Sequence, residues 1–384
     1  MASKTDKIAA ALSTPTPRVP AIPDRDLLST GCTLLNMAFS GRPNGGVPKG
    51  TYLSLVGDSG SAKSWLTFCL FAEAAINPEF DSYSFVHDNA ENGALMDVER
   101  YFGTGVLNRL EPPSKSAPGS STVQEFYYNV ESNVRAGPCI YVLDSMDALQ
   151  DESEDVQFEA KLHFHETGKG ADKVKGSMGM EKAKTNSKNI ARIANTTLRS
   201  NGSILAIISQ TRDMLNAPYP GMKTYGGGRA LKFYSHLQAW AKVKGPIKRT
   251  YLRKEREIGS EIVIDVQKNR VCGWEGKVPT LSFLKGFGID DCGSSVEYLL
   301  DEKHWTAPSA DPKAKKDKRA VSAPDDNEDA PKKFAAPEFE FVGTKEQLVK
   351  LVQTQGREPE LADVVAKVWR AIAAGAAPER KPRY

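Results

Sequence analysis

The stretch LVGDSGSAKSW, Leu55–Trp65, gives the strongest indication of the fold of this 384-residue chain. It nearly spells the phosphate-binding pattern G-x-x-x-x-G-K-[ST], with Ala62 where glycine usually precedes the lysine. The preceding TYLSLVG predicts a buried strand, and the spacing from Lys63 to about Ile76 predicts a helix. A strand, a glycine-rich turn and a helix in this order predict a loop that binds ATP. An ordinary strand–turn–helix is the alternative.

Each residue type in this loop suits a phosphate ligand. Gly57 and Gly60 can supply turns with positive φ. Lys63 can reach the β- and γ-phosphates, and we expect it to face solvent until they arrive, while the Ser64 hydroxyl can bind Mg²⁺. Backbone N–H groups and the helix N-terminus also attract the anion. The predicted ATP contacts are therefore Gly57, Asp58, Ser59, Gly60, Ser61, Ala62, Lys63, Ser64 and Trp65.

Three further polar residues follow predicted strands. Asp144 ends the apolar run PCIYVLDS, and ligands of open α/β sheets bind at the carboxyl ends of the strands. Asp144 is therefore predicted to orient hydrated Mg²⁺ with Ser64, and helix capping is the alternative. Gln210 ends SILAIISQ, where it could contact the γ-phosphate as a sensor of hydrolysis. The catalytic base is expected to be Glu91 or Asp88, after SYSFVHD.

The pattern of strands and helices along the chain predicts an α/β fold. Apolar strands such as CIYVL and SILAII alternate with helical segments such as QEFYYNVESNVR and IARIANTTLRS. Unbroken Val, Ile and Leu runs between helices are typical of a mostly parallel sheet covered on both faces. Further strands are predicted in LQAWAKVKG, EIVIDVQKN and PTLSFLK.

The composition divides the chain into four predicted segments. Residues 1–28 are punctuated by proline and predict an N-terminal tail that could tether protomers. Residues 29–306 form the predicted core. Residues 307–337 are rich in Ala, Pro, Lys and Asp, which is typical of a disordered linker. Residues 338–384 contain two stretches with helical spacing and predict a small helical C-terminal module.

Composition also limits the classes of function. The five cysteines are scattered without a C-x-x-C pair, which argues against a zinc site or a disulfide framework and favours the reducing cytoplasm. No apolar run reaches the ~18 residues of a membrane span, so no membrane partner is expected. Residues 223–270 contain twelve Lys and Arg but only four Asp and Glu. This local excess indicates a polyanion partner, with a solvated basic surface as the alternative.

The order of several motifs resembles the RecA recombinases over residues 28–306. These are GDSGSAKS, DNAENGALMDVERYFG, IYVLDSMDAL, IISQTRDM, YGGGRALKFYS and GSEIVIDVQKNR. The resemblance implies a RecA-like P-loop ATPase core that uses ATP and Mg²⁺. Ala62 departs from the bacterial pattern and is similar to phage-encoded members of the UvsX type.

The resemblance also implies roles for individual residues. Lys63 and Ser64 match the phosphate and magnesium ligands, and Asp144 matches the Walker B acid. Glu91 falls at the carboxylate that activates water, with Asp88 as a weaker contender. Gln210 matches the glutamine that links the γ-phosphate to the DNA loop. Lys268 and Arg270 fall where two cations reach a neighbouring protomer's ATP.

Two loops of the family contact DNA. Thr211–Leu231 resembles the second loop, and residues 166–180 lie at the position of the first. The predicted DNA-binding residues are Arg192, Arg212, Tyr219, Lys223, Gly227, Gly228 and Arg229.

These implications lead to an ATP-dependent DNA recombinase as the predicted function. It would be a DNA-dependent ATPase that forms head-to-tail helical filaments on single-stranded DNA. Its partners would be that strand and a homologous duplex, whose strands it would exchange. A ring helicase of the RecA fold is one alternative. A recombinase-like accessory DNA-binding protein with weak ATPase is the other, because fold alone does not determine function.

Overall fold

The computed structural model describes residues 21–93, 95–153, 156, 165, 178–213, 223–307 and 333–376. Fifteen strands lie in these ranges. They are β1 Leu27–Leu28, β2 Val47–Pro48, β3 Tyr52–Gly57, β4 Ser84–Asp88, β5 Leu110–Glu111, β6 Cys139–Leu143, β7 Ile204–Asp213, β8 Lys223–Tyr225, β9 Leu237–Tyr251, β10 Lys254–Asn269, β11 Gly276–Lys277, β12 Leu281–Leu284, β13 Gly288–Asp290, β14 Phe334–Ala336 and β15 Phe341–Gly343.

Eleven α-helices occupy the same part of the chain. They are α1 Thr33–Ser40, α2 Lys63–Ile76, α3 Val98–Phe102, α4 Thr104–Leu107, α5 Val123–Ala136, α6 Met178–Arg192, α7 Leu198–Asn201, α8 Arg229–Tyr234, α9 Asp291–Asp301, α10 Lys345–Gln355 and α11 Glu358–Gly375. A short π-helical turn, Ile193–Thr197, joins α6 to α7. No helix in the described ranges has both the length and the apolar character needed to cross a bilayer.

One large mixed sheet organises the core. Its strand order is β13-β12-β10-β9-β3-β7-β6-β4-β5, and β11 and β8 pair with β10 and β7. The strands from β9 to β5 run parallel, while β10 to β13 extend the sheet in antiparallel pairs. The predicted α/β class with a mostly parallel central sheet is therefore confirmed, and the predicted helix at Lys63–Ile76 has the observed bounds.

The central parallel strands β3 and β6 are mainly apolar because both of their faces are buried. Leu53 and Leu55 face one hydrophobic cluster, whereas Tyr52 faces the other. Helices α1, α2 and α9 cover the first face, and α5 to α8 cover the second. Each fully buried Leu or Phe side chain stabilises the fold by about 1.5–3 kcal/mol. The sheet is therefore a rigid support for the loops at its carboxyl edge.

The C-terminal helices share the core of the main sheet. Leu348 in α10 and Val365 in α11 belong to the same cluster as Leu53. The Trp369 ring lies 5.4 Å from that of Trp274, between ring centroids, and Trp305 stacks on Phe334 at 5.7 Å. Strands β1 and β14 lie at the inner ends of the segments predicted as tail and linker. Residues 1–20 and 308–332 lie outside the described ranges, so the segment boundaries stay predictions.

Candidate nucleotide and DNA site

The phosphate-loop motif connects β3 to α2 through two left-handed residues. Gly60 has φ +77° and Ala62 has φ 58°. Gly57 does not adopt a positive φ, so that part of the prediction is wrong. Glycine is required at position 57 for lack of space, because a Cβ there would lie 2.3 Å from the Ala241 carbonyl oxygen.

Ala62 occupies the position where the common motif has glycine. The left-handed conformation disfavours any residue with a Cβ by about 1–2 kcal/mol. Ala62 nevertheless adopts the left-handed conformation directly before the helix begins at Lys63, and alanine retains the backbone N–H that glycine would supply. Alanine in place of glycine therefore keeps the turn at a small conformational cost.

Lys63 is buried rather than solvent-facing, contrary to the prediction. The residue is only 8% exposed, and its Nζ donates to the Asp58 carbonyl oxygen at 2.6 Å. Burial lowers the pKa of Lys63, and the nearby Asp144 and Glu91 carboxylates oppose that shift. The ammonium group thus occupies the loop that a phosphate would fill.

Ser64 and Asp144 meet as the sequence predicted for a magnesium site. The Ser64 hydroxyl donates to Asp144 Oδ2 at 2.5 Å, which joins the first turn of α2 to the end of β6. Burial raises the pKa of Asp144, and the Ser64 hydrogen bond opposes the rise. No group of three or more His, Cys, Asp or Glu in the described ranges could hold a metal. One hydroxyl and one carboxylate suit Mg²⁺, which usually keeps waters and binds phosphate oxygens.

Glu91 lies directly against the predicted sensor. Its Oε1 accepts from Gln210 Nε2 at 2.7 Å, and it also accepts from the Ser145 hydroxyl. The Glu91 backbone N–H donates to the Asp144 carbonyl oxygen at 3.0 Å. Three strand ends thereby bring the predicted base, sensor and magnesium ligand together.

Asp88 has a different environment. It is fully buried, and its oxygens accept from the Ser120 backbone N–H, the Ser120 hydroxyl and the Tyr141 hydroxyl, each at 2.6 Å. Burial raises the pKa of Asp88, and the Ser120 hydrogen bonds oppose the rise. A carboxylate whose lone pairs are used inside the core is a structural group. The geometry therefore favours Glu91 as the base.

A cavity of about 280 Å³ unites these groups. It is lined by Ser59–Trp65 together with Glu91, Asp144 and Gln210. Phe283 of β12 also lines it, next to the Trp65 ring at 5.3 Å between centroids. Of the predicted ATP contacts, Gly57 and Asp58 do not line this cavity, nor do Lys268 and Arg270.

Asp58 points instead toward the ribbon formed by β7 and β8. Lys223 Nζ lies 2.7 Å and 2.6 Å from its two carboxylate oxygens, and the Thr211 hydroxyl also donates to it. The hydrogen bonds from Lys223 and Thr211 hold the pKa of Asp58 below its usual range.

The predicted DNA-binding residues are distributed over several elements. Arg212 pairs with Asp147 at 2.9 Å, and Arg192 lies 3.7 Å from Glu131 on α5. Arg229 is exposed at the start of α8. Tyr219 and residues 166–177 of the predicted first loop lie outside the described ranges.

Gly227 and Gly228 have a visible packing role. Both have positive φ, and a Cβ at Gly227 would lie 2.5 Å from a Leu231 methyl carbon. A Cβ at Gly228 would lie 2.9 Å from that of Ala183. Asn186 Nδ2 donates to the Gly227 carbonyl oxygen at 2.8 Å. These glycines bring the end of the ribbon close to α6, and DNA contact by them stays a prediction.

Lys268 and Arg270 do not line the 280 Å³ cavity of their own protomer. Lys268 Nζ donates to the Lys232 and Phe233 carbonyl oxygens at 2.8 Å and 2.5 Å, and Arg270 Nη2 reaches Phe233 at 3.0 Å. Partial burial and the adjacent Arg270 lower the pKa of Lys268 to about 8. Together with Lys223, Arg229 and Trp240, they line a second cavity of about 760 Å³.

Sequence reasoning missed Ser145, Asp147 and Phe283. Ser145 and Asp147 sit in DSMDAL directly after the predicted magnesium ligand, and proximity to Asp144 was the available signal. Phe283 lies in a strand distant from the loop in sequence, so only the sheet order reveals it.

Comparison with known proteins supports the RecA resemblance at a distant level. No family model matches the chain. Protein RecA of Clostridium beijerinckii is 26% identical over 293 residues, covering 73% of this chain and 69% of that protein. Protein RecA of Fusobacterium nucleatum is 26% identical over 271 residues, or 70% and 63% of the two chains. Protein RecA of Chlorobaculum tepidum is 26% identical over 280 residues, or 72% and 70%.

This similarity, together with the mixed α/β sheet, supports a RecA-type family assignment. The likeness to the phage-encoded UvsX type stays a prediction.

Proposed function

We propose that this protein is an ATP-dependent DNA recombinase that coats single-stranded DNA, pairs it with a homologous duplex and exchanges strands. One observation carries the proposal: Gln210 contacts Glu91 inside the phosphate cavity and is followed directly by the exposed ribbon that contains Arg212 and Lys223. Strand β7 therefore carries both Gln210, which lines the cavity, and Arg212, which belongs to the basic ribbon.

The residues at the cavity fit ATP and Mg²⁺. Ser64 and Asp144 would hold the metal, and Lys63 would move from the Asp58 carbonyl oxygen to the phosphates. Mg²⁺ would neutralise charge that develops on the phosphates during hydrolysis. Glu91 would orient and deprotonate a water, and its hydrogen bond with Gln210 supports a sensor beside it. This arrangement supports a DNA-dependent ATPase.

DNA binding is assigned to the ribbon and to the basic segment that follows it. Exposed Lys and Arg hold phosphates without reading sequence, as strand exchange between arbitrary homologous DNAs requires. Lys268 and Arg270 are assigned to a neighbouring protomer's ATP. A site completed by the next copy generates a head-to-tail helical filament. The proposed setting is the cytoplasm of a bacterium or of an infected host.

A strand-exchange assay tests this function. Single-stranded DNA is incubated with homologous or heterologous labelled duplex, with and without ATP, and the exchanged product is measured. We expect exchange only with homologous duplex and ATP. ATP-driven unwinding that does not depend on homology would indicate a ring helicase.

An accessory DNA-binding protein with weak ATPase is the second candidate. It is favoured by two observations: Ala62 in a left-handed conformation, and Lys63 buried against its own loop. Slow ATP hydrolysis that single-stranded DNA does not stimulate would support this function over the recombinase.

A further inference from the structure

The two predicted DNA cations on the β7–β8 ribbon, Arg212 and Lys223, are held by carboxylates in this structure. Arg212 on β7 pairs with Asp147, and Lys223 on β8 pairs with Asp58. We propose that Asp58 and Asp147 form an acidic latch that withholds Arg212 and Lys223 from DNA until the phosphate loop binds a nucleotide. This inference rests on the proposed function and adds regulation of the same site.

Asp58 fastens both strands of the ribbon. Both of its carboxylate oxygens accept from Lys223 Nζ, and one also accepts from the Thr211 hydroxyl. Thr211 and Lys223 stand at opposite ends of the short β7–β8 pairing, where Thr211 pairs with Tyr225. A single side chain of the phosphate loop therefore binds both strands of the ribbon, β7 at Thr211 and β8 at Lys223.

Asp147 holds the same ribbon from the other side. Its Oδ2 accepts from the Gln210 backbone N–H at 2.6 Å, and its Oδ1 accepts from Arg212 Nη2 at 2.9 Å. The Asp147 side chain is only 8% exposed, whereas that of Arg212 is 60% exposed. The acid is therefore fixed in place, and Arg212 is the partner that can turn away.

The charges of the four side chains cancel in this arrangement. A cation that binds DNA gains affinity by neutralising a phosphate and releasing the counterion around it. Lys223 and Arg212 lose much of that gain while an adjacent carboxylate neutralises them. DNA must displace the two acids before it can use these cations.

The phosphate loop can control one arm of the latch. The Asp58 carbonyl oxygen accepts from Lys63 Nζ at 2.6 Å while its carboxylate accepts from Lys223. Lys63 of the phosphate loop thus binds the backbone of Asp58, and Lys223 of the ribbon binds its side chain. When Lys63 turns toward a phosphate, the Asp58 carbonyl oxygen keeps its hydrogen bonds from Ser61 but loses the one from Lys63. This weaker restraint lets the Lys223 contact open.

The first test measures single-strand affinity of the full-length protein without nucleotide, by fluorescence anisotropy with a labelled oligothymidylate. Asp58→Asn and Asp147→Asn should each tighten binding about threefold, the size of a modest ion pair. Asp213→Asn is the matched control, because it removes an equal charge from the same ribbon but forms no ion pair within the described residues. An equal gain in the control would overturn the latch.

A double-mutant cycle separates the latch from general electrostatics. Asp58→Asn should have no effect when Lys223→Gln is already present, and Asp147→Asn should have none with Arg212→Gln. The crossed combinations, Asp58→Asn with Arg212→Gln and Asp147→Asn with Lys223→Gln, should be additive. Additive behaviour within the bonded pairs would also overturn the proposal.

Amide hydrogen exchange distinguishes failure of the latch from failure of the proposed function. In nucleotide-free protein, Asp58→Asn should speed exchange in Lys223–Tyr225, and Asp213→Asn should not. Faster exchange with no single-strand binding by any protein would reject the recombinase while the acids still hold the ribbon. Unchanged exchange would reject the latch even if the wild type binds DNA.

Discussion

The two halves of strand β7 show how differently the two functional regions are built. Ile204–Ser209 are buried between hydrophobic clusters, whereas Gln210 and the two residues at the far end, Arg212 and Asp213, are exposed. The proposed nucleotide region therefore lies on a sheet that packing holds rigid, and the proposed DNA region is held mainly by ion pairs and hydrogen bonds. Ion pairs exchange partners easily, while core packing does not. We therefore expect the residues proposed for ATP hydrolysis to keep one geometry, and the residues proposed for DNA binding to change their partners.

The largest expected effect comes from Lys63→Ala in the rigid region. Hydrolysis should fall about a thousandfold, since a fixed cation aimed at developing phosphate charge is worth that order. Folding should be retained, because the hydrogen bonds described for Lys63 Nζ go to Asp58 and Ser61 of its own loop. Steady-state phosphate release and thermal unfolding check this, with exposed Lys367→Ala as the control. A folded mutant with near-normal hydrolysis would remove the basis for the phosphate-loop assignment.

Glu91→Gln should reduce hydrolysis about a hundredfold while ATP binding persists, as expected for loss of a general base. Asp88→Asn should instead lower thermal stability, because its buried oxygens accept three hydrogen bonds. Single-turnover hydrolysis and thermal unfolding of both variants provide the comparison. The assignment of the base is wrong if Asp88→Asn, and not Glu91→Gln, traps the ATP state.

Lys268→Ala with Arg270→Ala tests whether these two cations of the second cavity act on a nucleotide. DNA-stimulated hydrolysis should fall roughly thirtyfold, in line with loss of charge-assisted hydrogen bonds. Isolated protomers should still bind ATP, since neither side chain lines their own cavity. Mixing with Lys63→Ala protein should restore part of the activity at hybrid interfaces. Full DNA stimulation in the double mutant would show that these cations do not complete a neighbour's site.

Gln210→Ala tests the junction between the two regions. The ratio of single-strand affinities with a non-hydrolysable ATP analogue and with ADP should fall about tenfold, the value of one hydrogen bond to a charged group. Anisotropy measures both affinities, and Gln267→Ala, an exposed glutamine on β10, serves as the control. An unchanged ratio would locate the coupling elsewhere.

The smallest expected effect concerns the backbone of the rigid region. Ala62→Gly should stabilise the fold by about 1 kcal/mol because Ala62 has φ 58°. Ala72→Gly, in the middle of α2, should destabilise it by about 1 kcal/mol. Thermal unfolding of the two variants should therefore shift in opposite directions. A destabilised Ala62→Gly protein would contradict the left-handed assignment.

The sequence predicted the rigid region well because most of its signals are local. The strand that ends at Gly57 and the helix from Lys63 follow from residue types at fixed spacing. The Ser64–Asp144 contact is not local, and it was predicted because ligands of such sheets lie at the carboxyl ends of the strands. The burial of Lys63 was missed because it depends on the carbonyl of Asp58, which no side-chain pattern reveals. The Asp58–Lys223 and Asp147–Arg212 pairs were missed for another reason. Each joins a loop residue that follows one strand to a residue of the β7–β8 ribbon, and only the folded sheet brings them together.

The shared core beneath the C-terminal helices limits how this chain can vary. Trp369 packs between Trp274 and Tyr298, and Trp305 stacks on Phe334, so the last helices fit surfaces made by earlier residues. A different C-terminal region grafted onto residues 21–307 would leave those aromatic faces uncovered. The end of the chain is therefore not interchangeable among relatives unless its docking surface is exchanged with it.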